Sequence, residues 1–142
     1  MGNLNEIVPG LSAIVQKNVE KSDAALNYGN GALGNLLATP RYVEWLIKAA
    51  IKAVDSHLPE GMTTVGRYME FTHEAPTAVG MSITIKATLA AVNESCLSFD
   101  IVATDELGQV GHGRHERVII RLDQFAKKLE DRFKPIRQIP FK

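Results

Sequence analysis

His73 is followed at once by Glu74-Ala75-Pro76-Thr77, so it closes a short β-prone run directly before a proline-containing turn. Of the four histidines it is the best placed to face a cleft at a strand end. An unperturbed imidazole titrates near neutrality, as a general base requires. The plainer alternative is a strand-end histidine that only hydrogen-bonds its turn. Thr39 stands before Pro40 at a strong helix start. Its hydroxyl can cap free amides there, and the same place would stabilise a developing oxyanion. Pro40 donates nothing, so such donors would begin at Arg41, and capping alone accounts for Thr39.

A second group of polar residues lies near the end of the chain. His112, Arg114 and Glu116 share one face of an expected strand, while His115 and Arg117 point the other way with Gly111 and Gly113. Two histidines three apart on a strand cannot chelate one metal, so the simplest role is a cross-strand salt-bridge ladder. The lone Cys96 excludes an internal disulfide and a multi-cysteine zinc site. HExxH, GxSxG and phosphate-binding glycine loops are missing, and Gly29, Gly31 and Gly34 match no motif. Neither a metal nor a cofactor is expected. Lys127, Lys128, Arg132, Lys134, Arg137 and Lys142 outnumber Glu130 and Asp131 in the tail. Most simply this is a solvated face, although it could attract a phosphorylated ligand.

These residues need elements to hold them. Leu11 to Val19 reads as a first strand. A Gly- and Asn-rich stretch follows, and then a helix is expected from Pro40 to about His57, stopped by Pro59 and Gly61. Arg41, Glu44, Lys48, Lys52 and Asp55 fall in one polar stripe roughly 80° wide at 100° per residue. Apolar residues fill the rest, so the helix should be surrounded on most sides. Glu44 and Lys48, four apart, should pair on the exposed face. After Gly66 the period becomes two. Arg67 to His73 reads as a short strand, Met81 to Ala91 as a long half-buried one, and Leu97 to Thr104 as its partner. Gln109 to Arg121 reads as the last strand, before a terminal helix marked by Leu122, Phe125, Ala126, Leu129 and Phe133. A sheet wrapped around one nearly all-apolar helix is the α+β hotdog architecture. Uncovered edges in so small a sheet lead us to expect a homodimer, or a tetramer, in which the sheet bearing Ile83 to Ala91 meets a second copy.

Composition sets the outer bounds. The 142 residues suit a single domain over 1–142 and can bury a core without disulfide or metal. Sixteen Lys+Arg balance sixteen Asp+Glu, which argues against a nucleic-acid binder. The start, MGNLNEIVPG, lacks a basic segment and a long apolar run, so no signal peptide is expected. No run of eighteen apolar residues occurs, and a cytoplasmic protein that does not span a membrane is the expectation.

Several stretches together resemble the fluoroacetyl-CoA thioesterase-like branch of the hotdog proteins. They are Gly34-Asn35-Leu36-Leu37-Ala38-Thr39-Pro40, Val65-Gly66, His73-Glu74-Ala75-Pro76-Thr77 with Gly80, Asp105-Glu106-Leu107-Gly108, and Gly111-His112-Gly113-Arg114-His115-Glu116-Arg117. The resemblance covers roughly Leu11 to Arg121. It implies an acyl-CoA thioesterase, with coenzyme A present only as part of the substrate. Thr39 and His73 match the family's catalytic positions, and Gly66 matches its backbone glycine. Gly66, Ile47 and Arg117 make up the implied substrate-binding set. The family's fourth element is a Glu eight residues after the Thr, and here that position is Ile47. The replaced acid argues against fluoroacetyl-CoA itself. It keeps open a protein that binds an acyl-CoA, or another apolar ligand, without cleaving it.

Overall fold

The structure, a computed structural model, describes residues 2–136; the basic tail residues Arg137 and Lys142 lie outside them. β1 (Ser12–Asn18) leads through short 3-10 turns to α1 (Thr39–Val54). Then come β2 (Met62–Phe71), β3 (Ser82–Asn93), β4 (Cys96–Asp105), β5 (Gly108–Arg121) and α2 (Leu122–Phe133). The five strands form one antiparallel sheet in the order β1-β3-β4-β5-β2, so β1 and β2 are its edges. This is the expected strand-helix-four strands-helix order.

Alternation places the core. Ile83, Ile85, Ala87 and Leu89 on β3, and Leu97, Phe99, Ile101 and Ala103 on β4, all point inward and are buried. They pack on Tyr42, Trp45, Leu46, Ala49, Ala50, Ala53 and Val54 of α1. A fully buried Leu or Ile stabilises by about 1.5–3 kcal/mol, so this layer dominates the fold's stability. Register shifts at Gly66/Tyr68, Leu89/Ala91 and Ala103/Thr104 add the local twist that curls a sheet around a helix.

The bounds of β2 and α1 differ most from the sequence reading. β2 begins at Met62, not Arg67, because Met62-Thr63-Thr64-Val65 already pair with β5 from Arg121 back to Val118. Gly66 is therefore an interior strand residue, and His73 stands two residues beyond the strand end. α1 ends at Val54, and Asp55–His57 tightens into a 3-10 turn. The helix is also less enclosed than expected. Val43, Ile47 and Ile51 form a half-buried stripe between the sheet-facing side and the polar stripe, because the sheet covers one side of α1 only. α2 has no fully buried residue.

Candidate active site

Thr39 is the first residue of α1, with Pro40 behind it; the N-cap is Ala38, which offers no side-chain cap. Thr39 thus does not cap, contrary to expectation, because its backbone is already helical. Its hydroxyl is free for another partner. That partner is His73, whose Nδ1 lies 2.8 Å from Thr39 Oγ1 across 34 residues of sequence.

Both segments are pinned. Ala38 N–H donates to Asp23 O at 2.8 Å, and Leu37 N–H to Thr77 O at 2.8 Å. Asp23 in turn accepts from Arg41 at 2.7 Å. Thr77, fully buried, donates its hydroxyl to Asp105 at 2.8 Å. On the other side Thr72 N–H donates to His112 O, and Glu74 N–H to Val110 O, both at 2.8 Å, so β5 carries the chain past the end of β2.

The imidazole environment favours a neutral ring. Burial pushes His73 below the ordinary 6.5, since desolvation disfavours the cation. His73 Nε2 is buried and meets no hydrogen-bond partner among the described residues. The ring of Tyr42 lies parallel to it, with centroids 4.3 Å apart and planes 15° apart. Burial raises the Tyr42 phenol to about 12, so it remains a donor, and its hydroxyl reaches Thr72 O at 2.8 Å. Sequence reasoning missed Tyr42, which at helical spacing reads as plain core. Its one signal was position, three residues after Thr39.

The pair opens on a hollow of about 360 Å³ walled by Leu33, Leu36, Leu37, Tyr28 and Pro76. A somewhat larger hollow of about 420 Å³ lies between α2 and the end of β5, remote from both residues. A hydroxyl in hydrogen-bond reach of a neutral imidazole, beside an apolar pocket, can deliver an activated oxygen to an electrophilic carbonyl. Among the described residues no group of three or more His, Cys, Asp or Glu could hold a metal ion.

The remaining expected site residues are not gathered at this pair. Ile47 sits eight residues along α1 from Thr39, about 12 Å of helix rise. Gly66 is seven residues before His73, about 23 Å of extended chain. Arg117 lies with Gly66, not with Thr39. It points inward and is 7% exposed. Its Nε and Nη2 donate to Thr64 Oγ1 and Thr64 O, each at 2.8 Å. Its Nη1 donates to His115 Nε2 at 3.2 Å. His115, 2% exposed, bonds Tyr68 O through Nδ1 at 2.8 Å. A carbonyl only accepts, so Nδ1 carries the proton and Nε2 is left to accept from Arg117. A Cβ on Gly66 would sit 3.3 Å from Arg117 Nη1 and 3.5 Å from His115 Cε1, so the glycine lies directly against this pair. The anticipated salt-bridge ladder reduces to one outer-face pair, Arg67–Glu116 at 3.2 Å. The inner face is instead a hydrogen-bonded network of His115, Arg117 and Thr64.

A curled antiparallel sheet around a long helix, with a Thr–His pair on an apolar pocket at the helix start, defines a hotdog protein of the thioesterase type. Residues 19–123 match the family of fluoroacetyl-CoA-specific thioesterases, and the chain belongs to that family. It is 32% identical over 90 residues to the fluoroacetyl-CoA thioesterase of Streptantibioticus cattleyicolor, a match spanning 63% of each chain and so a little under two thirds of that relative. Among solved structures, a hot-dog-like protein from Thermanaerovibrio acidaminovorans superposes with a TM-score of 0.84 at 30% identity, covering 92% of this chain and 97% of that one. A point mutant of a fluoroacetyl-CoA-specific thioesterase gives 0.78 at 25% identity, covering 89% and 97%. No helix among the described residues is long and apolar enough to cross a membrane.

Proposed function

We propose that this protein is an acyl-CoA thioesterase acting on a small or medium acyl group. The observation that carries the reading is the 2.8 Å contact between Thr39 Oγ1 and His73 Nδ1 at the mouth of an apolar pocket. Neutral His73 accepts a proton from Thr39, or from a water held by it, and the oxygen so activated attacks the thioester carbonyl. The C–S bond breaks, the coenzyme A sulfur takes that proton from His73 and leaves as the thiol, and an acyl group carried on Thr39 is then hydrolysed by water. The pocket walls suit an aliphatic acyl group. In this reading the protein works in the cytoplasm, and coenzyme A enters as part of the substrate with no separate cofactor.

The active form in this reading is a homodimer. β2 is a free edge bearing Tyr68 and Phe71, 48% and 39% exposed, and the Val43-Ile47-Ile51 stripe is only half covered. The separation of Gly66 from His73 within one chain means that a Gly66 amide serving as oxyanion donor would come from the second copy. Light scattering should give about twice the 15.6 kDa chain mass; a mass near 15.6 kDa at micromolar concentration would rule the dimer out.

A second reading, acyl-CoA binding without cleavage, draws on Ile47 at the family's acid position and on the absence of a carboxylate from both His73 nitrogens among the described residues. A thiol-release assay over short and medium acyl-CoAs separates the two. Release that disappears in His73→Ala supports the hydrolase. Tight binding with no thiol released would establish the binding protein.

A further inference from the structure

Tyr42 touches three consecutive residues of the segment that delivers His73. Its ring meets Phe71 edge-on, at 6.2 Å and 63°. It also stacks on His73, and its hydroxyl bonds Thr72 O. β5 leaves room for this arrangement. A Cβ on Gly111 would come within 2.5 Å of the Tyr42 hydroxyl and closer still to Thr72 O, so only glycine admits both groups. The second side of Thr72 is also held, since its Oγ1 accepts from His112 N–H at 3.1 Å and donates to Glu74 Oε2 at 3.1 Å.

We propose that Tyr42 is the positioning residue for His73: its hydroxyl fixes the peptide before the histidine, and its ring face backs the imidazole against Thr39. The proposal rests on the thioesterase reading. Neither nitrogen of His73 meets a carboxylate, so when Nδ1 takes up a proton the charge has no anionic partner. An aromatic face parallel to an imidazolium stabilises it through the ring quadrupole. His73 itself meets Thr39 and Tyr42 of α1, while the Thr72 peptide before it is flanked by Glu74 of the same turn and by Gly111 and the His112 amide of β5. Of these, Glu74 is the sole carboxylate, and its bond goes to Thr72.

Tyr42→Phe and Tyr42→Met test the two halves of the role. Phe keeps the stacked ring and removes the bond to Thr72 O; Met fills similar space without an aromatic face. The readouts are the His73 titration followed by imidazole NMR on the ligand-free protein, and kcat and KM for the best acyl-CoA. With Phe, the His73 pKa should hold and kcat should fall roughly 3–10-fold, the worth of one net hydrogen bond. With Met, the His73 pKa should fall and kcat should drop by more than in the Phe variant, with KM little changed in both. A purely structural tyrosine would lower thermal stability and leave His73 titration and kcat alone, and that result would overturn the proposal. Should the Met variant not fold, a folded Phe variant with wild-type kcat overturns it alone. If the wild type releases no thiol from any acyl-CoA, the thioesterase reading fails, and the NMR titration of the two variants still decides whether Tyr42 governs His73.

Discussion

His73 and His115 are both held below the ordinary imidazole range by burial, yet their surroundings differ in kind. His115 has both nitrogens engaged, Nδ1 with Tyr68 O and Nε2 with Arg117, deep under β2. His73 has one nitrogen on a hydroxyl at a pocket mouth and the other without a protein partner among the described residues. A buried polar group left incomplete costs about 1–3 kcal/mol, so a fold keeps it where something else gains. The completed histidine is scaffold, clamping the carbonyl after the Gly66 bulge, and the incomplete one is available for chemistry.

The sharpest way to break this contrast is to delete the His73 imidazole, with the exposed His112 imidazole as the control. His73→Ala should lower kcat/KM for the best acyl-CoA by about 10²–10⁴-fold with the fold intact, while His112→Ala, on the outer face, should leave it within about twofold. Equal losses from both would remove His73 from the mechanism. Stability should report the other region. Arg117→Met strips partners from Thr64 O, Thr64 Oγ1 and His115 Nε2, and urea unfolding should show a loss of about 2–4 kcal/mol. A loss under about 1 kcal/mol would mean that the network is idle.

Proton linkage separates the same two groups more gently. Each histidine has a folded pKa below its ordinary 6.5, so between those values the unfolded chain binds more protons. Their contribution to stability is complete above pH 6.5 and is lost as pH falls toward the folded pKa. Thermal melts should show Tm declining below pH 6.5, with a smaller decline in His115→Gln. The kcat/KM profile should fall with acid through the His73 pKa and stay flat from pH 7 to 8. His115→Gln should keep that profile; a shifted profile would couple the two regions. The smallest effect concerns Glu44, bonded to Arg41 at 3.0 Å and Lys48 at 2.8 Å on the outer stripe. Glu44→Ala should change stability by at most about 0.5 kcal/mol and leave turnover unchanged. A large loss of turnover would instead make Glu44 a partner in catalysis.

Local pattern alone carried much of this protein. The two-residue period of Ile83 to Leu89 and of Leu97 to Ala103 specified which face is buried, because neighbouring strand residues must point oppositely. The Glu44–Lys48 pair was equally legible, being set by helix pitch. Thr39 and His73 were visible as candidates through the proline turns beside them. Their contact was not, since it depends on the sheet order that brings two segments 34 residues apart to one helix end. Capping misread Thr39 because helical signals do not tell the N-cap from the first helical residue. Alternation put Gly111, His115 and Arg117 on one strand face, but their partners and the contacts of Tyr42 were decided by tertiary structure alone. Stacking distance, the room left by a missing Cβ, and which carbonyl a buried donor finds are properties of packed neighbours, and no spacing along the chain encodes them.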